Sequence, residues 1–532
     1  MKLNEAIQIM TNEIVFVLAD NKPDIYLFGS VALDDFKLGW SDIDIVVLTE
    51  REISEQQADI LVELRQSMLE RYPGNPYFRL FEGGMLSIDA FLNGKNERTV
   101  YWGTSGQRIT DSYKLDSFGM AELIDSGILL HGDDVREKMN YPSYTQMRMD
   151  IANHVEAARK YGFVGGWLLD IARGIYTLRT GKIIAKTAAG EWALKEGLCH
   201  DLEIMRKVVQ IRKEPQQFTK EDKVIDNAVI QRFADVLDDE FIQTASYPTK
   251  AESELCNMGI PYKALTLIRQ KDGVVVWRVT TDTTSYVMKC FIKEEYRREI
   301  TNYQILISLG IPTLKIIAYT ECALLMEDIE RSSYRLGTTH DINNPQIAIL
   351  IARWYKILHE KGFKYASLNS LYDECECLTV ENIKAIREKT ATSDISVWKL
   401  IEDNFTQIKS AAMNLPRTLT YNDFHYTNLM VARNDTSAFV FDYNMLGKGY
   451  VYADIRNVCS HMDNEEARAA FVSEYGGFDE KEKIVDDVVC SLNALHIACG
   501  RKHFPDWGNN LLAGVKDGRL QAAVGKLLEG MK

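Results

Sequence analysis

The chain has 532 residues, 46% of them hydrophobic and 10% aromatic. That length calls for two to four domains with well-filled cores and excludes a disordered chain. A net charge of −14 weighs against a general nucleic-acid binder. Nine cysteines are scattered without any pair of C-x-x-C units, so free thiols in a reducing compartment are expected and no structural zinc. The N-terminal MKLNEAIQIM has polar breaks where a signal peptide needs an apolar core. No run approaches the roughly 18 apolar residues of a membrane span, so the expected location is cytoplasmic and off the membrane.

Residues 3–20 have helical spacing and lead into an apolar run, 25–28, that ends in Gly29-Ser30. A polar, turn-rich segment follows, then a second apolar run carrying Asp42 and Asp44. The order reads strand, Gly-Ser turn, short helix, strand. Side chains two apart on a strand share a face, about 7 Å from each other. Two carboxylates so placed can hold Mg²⁺ against a triphosphate. Gly29 lets backbone approach a phosphate, and Ser30 adds a hydroxyl and an N–H near a helix start. Residues 50–72 form an amphipathic pattern with Leu61, Leu64 and Met68 on one face, and 73–76 a turn. A third strand is expected over 78–88. It carries Glu82, a further metal ligand or the general base for an attacking hydroxyl; Asp89 is the rival, and Glu82 is favoured.

Residues 147–194 are a run of helical patterns with two basic residues, Arg173 in WLLDIARGIYTLRTG and Lys186 in KIIAKTAAGEWAL. By themselves they read either as helix-surface cations or as cations that reach a triphosphate. GSVALDDFKLGWSDIDIVVL resembles the GS–DxD signature of the aminoglycoside (streptomycin/spectinomycin) adenylyltransferase family. WLLDIARGIYTLRTGKIIAKTAAGEWAL resembles that family's helical domain, and SGILLHGDDVR its connecting segment. The resemblance spans about residues 1–245. It implies transfer of AMP from ATP to a substrate hydroxyl, with Asp42 and Asp44 on Mg²⁺, Glu82 as base, and Arg173 and Lys186 on the phosphates. One stretch departs. Streptomycin-binding members place acids before this helix, whereas here the stretch is Arg159-Lys160-Tyr161-Gly162-Phe163-Val164, basic and then apolar. Arg159 is expected to repel a cation.

Helical patterns continue over 202–212 and 221–240, and a domain boundary is placed in 245–256, which contains Pro248. The domains expected are 1–143, 144–247 and 248–532, the last with lobes at about 256–330 and 331–532. Residues 265–292 have β character with turns at Gly273 and at 281–284; Lys289 lies on a strand and Glu299 on the helix that follows. Long helical patterns cover 346–361 and 397–413. A second chemical centre reads LTYNDFHYTNLMV, a turn, then AFVFDYNMLGKGYVYADIRN. Asp423 precedes Asn428 by five residues, and Asp442 ends a second strand. This resembles the catalytic loop of aminoglycoside phosphotransferase and choline-kinase-like enzymes. The resemblance implies that Asp423 orients the acceptor hydroxyl, that Asn428 and Asp442 hold Mg²⁺, and that Lys289, held by Glu299, pairs the α/β-phosphates. Residues 326–329, with Glu327 and Ile329, would be the hinge against adenine. Tyr421 stands where the family has histidine, and Gly273 is the one glycine of the phosphate loop. Asp454 is expected to buttress the loop. The histidines show no metal spacing.

The expected whole is an α/β multidomain fusion: a mixed nucleotidyltransferase sheet with a helical bundle, then a bilobal kinase-like fold. Both halves would use ATP and Mg²⁺ on a small-molecule hydroxyl, the first hypothesis being an aminoglycoside or aminocyclitol, which the acidic chain suits as a polycation. A metabolic amino-alcohol or sugar kinase fused to a nucleotidyltransferase is a second reading. A protein-adenylylating regulator with a kinase-like binding module is a third.

Overall fold

The computed structural model describes residues 2–103, 106–365, 367–501 and 504–531, and His503 lies outside them. By its contacts the chain forms two compact units, Met1–Thr284 and Ser285–Lys532.

The first unit begins with α1 (Leu3–Leu18) and a six-stranded mixed sheet. The strands are β1 (Asp24–Phe28), β2 (Ile43–Thr49), β3 (Phe81–Ser87), β4 (Thr99–Gly103), β5 (Gly106–Thr110) and β6 (Ile128–His131), in the order β5-β4-β3-β2-β1-β6. β2 and β3 are parallel; the other neighbouring pairs are antiparallel. The short α2 (Gly29–Ala32) joins β1 to β2, and α3 (Glu55–Arg71) makes the crossover that a parallel pair requires. α3 starts five residues later than the 50–72 pattern because Ser54 caps it, accepting the Gln57 N–H while the Gln57 side chain returns to the Ser54 N–H. Leu61, Leu64 and Met68 are buried against the sheet, as their spacing indicates. β3 begins at Phe81, after a 3₁₀ turn over Phe78–Leu80. The helices α4 (Ile88–Asn93) and α5 (Ser117–Ser126) complete this layer.

A helical layer follows: α6 (Tyr144–Tyr161), α7 (Gly166–Thr180), α8 (Lys186–Lys195), α9 (Leu202–Lys213) and α10 (Asn227–Thr244). The segment 245–256, expected to be a boundary, is mostly helix, α11 (Tyr247–Met258). Pro248 lies in its first turn, where an N–H would have no helical partner in any case, so the proline does not break it. The unit closes with a hairpin, β7 (Ala264–Lys271) and β8 (Val274–Thr280). Its turn is Asp272-Gly273, both left-handed with φ of 54° and 89°, the conformation that tight hairpins demand. The hairpin packs on the helical layer through Tyr144 and Trp277, edge to face at 5.5 Å.

In the second unit β9 (Ser285–Phe291), β10 (Ile316–Tyr319) and β11 (Ala323–Glu327) form antiparallel pairs in the order β10-β11-β9, beside α12 (Arg298–Ser308). The remainder is mainly helical and includes α13 (Thr339–Ile342) and the buried α14 (Pro345–Gly362). The single helix expected over 397–413 is two, Ser396–Asp403 and Phe405–Met413. Asn404 leaves the helical region at φ −119° and folds its amide back onto the Leu400 carbonyl at 2.9 Å, ending the first helix. Among the described residues no helix is long and apolar enough to cross a membrane.

Candidate active sites

In the first unit the sheet register sets the geometry. Asp44 lies opposite Phe28 on one side and Glu82 on the other, so Glu82 joins Asp44 on adjacent parallel strands. Asp42 stands one step before β2. Gly29 follows β1 at φ +66°, and a Cβ there would run into the Asp44 carboxylate, so the phosphate-type turn and the carboxylate strand meet at a position only glycine fits. The Ser30 hydroxyl donates to the Asp42 carbonyl at 3.2 Å. Asp89 sits apart, exposed in the first turn of α4 and paired with Lys95.

The helical layer brings the two cations to the same cavity, of about 300 Å³, which Gly29, Ser30, Asp42, Asp44, Arg173 and Lys186 help to line. Neither cation waits bare. Arg173 pairs with Glu122 of α5 at 3.1 Å, and Lys186 with Asp170 of α7 at 2.8 Å. Burial, and after it the charges of Glu122, Asp42 and Glu82, raise the Asp44 pKa to about 7, and Lys186 only partly offsets them. Asp42 is raised by burial as well, against the pull of Lys186 and Arg65. Burial favours the neutral form of Asp170 too, but Lys186 and Arg173 outweigh it and hold its pKa below the usual value.

Several of these partners escape sequence reasoning. Glu122 is the lone acid on a buried helix face, and Asp170 sits three residues before Arg173, one turn away on α7. Asp35, inside the quoted Gly-Ser segment, is buried and accepts from Thr187 and Arg212. Arg65 of α3, also buried, donates to the Phe81 carbonyl at 2.8 Å and braces the start of β3 beside Glu82. Arg159 is not a free cation: Asp235 and Asp238 flank it at 2.8 and 2.5 Å.

In the second unit Lys289 is buried on β9, its ammonium 2.7 Å from Glu299 of α12 and 3.0 Å from Asp442. Burial alone would lower the lysine's pKa; Glu299, then Asp442, outweigh it and hold it above the usual value, so the charge persists. Strand β15 (Ala438–Val440) follows β12 (Tyr334–Leu336), β13 (Thr418–Thr420) and β14 (Leu429–Ala432) in the chain. Asp442 lies two residues beyond β15, in a left-handed conformation at φ +67°, rather than at the strand end. Asp423 and Asn428 share the loop between β13 and β14, and the Asn428 amide donates to the Asp423 carbonyl at 3.2 Å. Glu327 ends β11 across from Tyr286, three residues along from the Leu324–Lys289 pair, and accepts from the Lys315 N–H and the Ser332 hydroxyl. Ile329 begins a 3₁₀ turn just after it.

Asp454 is fully buried and accepts the Tyr421 and Asn422 N–H groups at 2.8 and 3.0 Å, the buttress its position suggests. His359 of α14, unremarkable in sequence, holds the same carboxylate at 3.1 Å. Tyr421, in the histidine position, sends its hydroxyl to the Phe441 carbonyl and so ties the loop to the segment that carries Asp442.

Among the described residues no three or more His, Cys, Asp or Glu side chains form a ready-made metal cage. The oxygen-only sets Asp42/Asp44 and Asn428/Asp442 fit Mg²⁺, which takes one or two protein carboxylates and completes its shell with phosphate and water.

Residues 16–74 match the family model "Nucleotidyltransferase domain", 147–238 "Aminoglycoside adenylyltransferase, C-terminal domain", and 270–484 "Phosphotransferase enzyme family". The chain is a transferase fusion, adenylyltransferase-like and then phosphotransferase-like. No curated protein sequence matches it. Among solved structures it is similar to the spectinomycin adenyltransferase AAD(9) from Enterococcus faecialis, with 18% identity, covering 44% of this chain and 100% of that one at a TM-score of 0.35. It is also similar to the choline kinase LicA from Streptococcus pneumoniae, at 17% identity, 48% and 89% coverage and a TM-score of 0.34. The streptomycin–ATP complex of APH(2")-IIa gives 15% identity, 53% and 98% coverage and a TM-score of 0.38.

Proposed function

We propose that residues 1–247 transfer AMP, and residues 248–532 the γ-phosphoryl group, from ATP to hydroxyls of an aminoglycoside or aminocyclitol. The observation that carries the reading is the convergence of Asp42, Asp44, Glu82, Arg173 and Lys186, drawn from two strand segments and two helices, around one cavity or strand pair. The adenylyltransferase family match over the helical layer supports the acceptor class.

In the first site Arg173 and Lys186 bind the triphosphate and balance the negative charge on the pyrophosphate as it leaves; Glu122 and Asp170 keep them pointed before ATP arrives. Glu82 receives the proton of the attacking hydroxyl. Asp42 and Asp44 would hold Mg²⁺, which when bound neutralises phosphate charge. In the second site Lys289 binds the α/β-phosphates, Glu299 holds Lys289, and Asp423 orients the acceptor hydroxyl for in-line attack; Asn428 and Asp442 would hold Mg²⁺. Glu327 and Ile329 border the adenine. Positioning and charge neutralisation carry both reactions.

The test is mass spectrometry of an aminoglycoside and aminocyclitol panel incubated with the protein, ATP and Mg²⁺. AMP adducts lost in Asp44→Ala only, and phosphate adducts lost in Asp423→Ala only, are the expected result. Asp423→Ala should slow phosphoryl transfer by about 10²–10⁴-fold. No adduct of either mass, with ATP bound at both sites, overturns the substrate class.

A further inference from the structure

We infer that Asp35 is a positioning residue of the adenylyl-transfer site, fixing Lys186 relative to Asp42 and Asp44. The inference rests on the AMP-transfer reading of that site. Helix α8 begins at Lys186, and its N-cap, Ala185, has no side-chain acceptor for the exposed N–H groups of the first turn. Asp35 supplies one from a different element. Its carboxylate accepts the Thr187 N–H at 3.2 Å and the Thr187 hydroxyl at 2.6 Å. It thereby caps α8 in place of the missing local residue, with a negative charge at the positive end of the helix.

Two further contacts lock the cap. Arg212 of α9 donates to the Asp35 carboxylate at 3.1 Å and to its carbonyl at 3.0 Å, and the two side chains are only 3% and 8% exposed. On the other side the Asp35 N–H donates to the Ser30 carbonyl at 2.8 Å, and the Ser30 hydroxyl donates to the Asp42 carbonyl at 3.2 Å. A continuous hydrogen-bonded route therefore runs from the start of the carboxylate strand, through Ser30 and Asp35, to the residue next to Lys186. Lys186 reaches the site from a helix whose first turn is anchored to the carboxylate segment, so its ammonium and the carboxylates keep one spacing. Asp35 borders the same cavity, but its carboxylate is engaged by Thr187 and Arg212, so it acts through Lys186.

The experiment is a double-mutant cycle on the full chain, in an Asp442→Asn background that weakens nucleotide binding at the second site. The probe is Mg²⁺ with α,β-methylene-ATP, measured by calorimetry, with melting curves for every variant. Asp35→Ala should weaken binding by about five- to tenfold, the size of a lost charged cap. In a Lys186→Ala background the same change should cost less than about twofold, because the group it positions is gone. Asp35→Asn, which keeps an acceptor for Thr187, should recover part of the loss. Equal losses with and without Lys186 overturn the role of Asp35 alone. A parent that binds no nucleotide at its first site overturns the AMP-transfer reading together with it. Thr187→Val, which deletes only the hydroxyl donor, gives a smaller coupling of the same sign if Asp35→Ala does not fold.

Discussion

The first site gathers carboxylates on adjacent strands and assigns its two cations to other acids, Glu122 and Asp170. The second places its cation between its own carboxylates, with Lys289 touching both Glu299 and Asp442. Burial, and then the neighbouring carboxylates, raise the Asp44 pKa to about 7 in the first site; in the second, burial raises Glu299 to about 7 even though Lys289 pulls it down, while Glu299 and Asp442 secure the charge of Lys289. The first is therefore built to be completed by a cation and should respond to pH. The second holds one cation between two carboxylates, and a nucleotide must share Lys289 with Asp442.

The largest expected effect breaks the second arrangement. Lys289→Ala leaves Glu299 and Asp442 facing each other without a counter-charge, and removing one member of a buried pair costs about 3–5 kcal/mol. Thermal unfolding of the second unit should shift accordingly. Lys289→Arg, which keeps the charge, should recover part of that stability. An unchanged melting curve in Lys289→Ala would show that the pair is not structurally coupled.

The opposite sign is expected in the first site. Asp44 has a folded pKa near 7 against an ordinary value of 3.8, so the folded state binds more protons than the unfolded one between those pH values. Stability due to this group is thus greatest at low pH and falls as pH rises from about 4 to about 7. Asp44→Asn removes the penalty. At about 1.4 kcal/mol per pKa unit it should stabilise the first unit by about 4 kcal/mol at pH 8, by nothing below pH 4, and abolish AMP transfer. Denaturation at the two pH values reads the difference; equal stabilisation at both would detach it from ionisation.

How much of this was legible in the sequence follows the range of the interactions. Gly29, Ser30, Asp42 and Asp44 lie within one strand–turn–strand unit, where alternation alone decides which face each residue shares. Lys289 and Asp442 are far apart in sequence, and only the match to a known catalytic pattern drew them together. Asp35, Glu122 and His359 stayed invisible, since each acts through a partner on a distant segment and sits in no periodic pattern that marks it. Pro248 was misleading in a different way: a helix breaker in its interior is a helix starter in its first turn.

A weaker effect tests the contrast in function. Below pH 7 the first site must lose the Asp44 proton before a cation can bind the carboxylate, so affinity for Mg²⁺–nucleotide should fall about tenfold per pH unit, or 1.4 kcal/mol. At the second site Lys289 stays charged, and Glu299, raised to about 7, acts on the nucleotide only through Lys289, so the slope there should be shallower. Calorimetry at pH 5.5, 6.5 and 7.5, with each site silenced in turn, separates them; parallel slopes would erase the distinction.

The smallest effect concerns the stretch that departs from the resembled drug site. Read alone, Arg159 repels a cationic acceptor. In the fold it lies between Asp235 and Asp238, both largely exposed, so the cluster of three carries a net negative charge. Removing one arginine from such a surface network costs about 1 kcal/mol or less, since water screens the charges and the side chains regain freedom. Arg159→Ala should leave the nucleotide affinity of both sites unchanged and lower the melting temperature by only a degree or two. If Arg159 nonetheless governs the acceptor, the variant will change KM for an aminoglycoside while kcat stays constant, and the change should shrink in 0.5 M salt. The absence of any such shift would place the acceptor's charge recognition elsewhere.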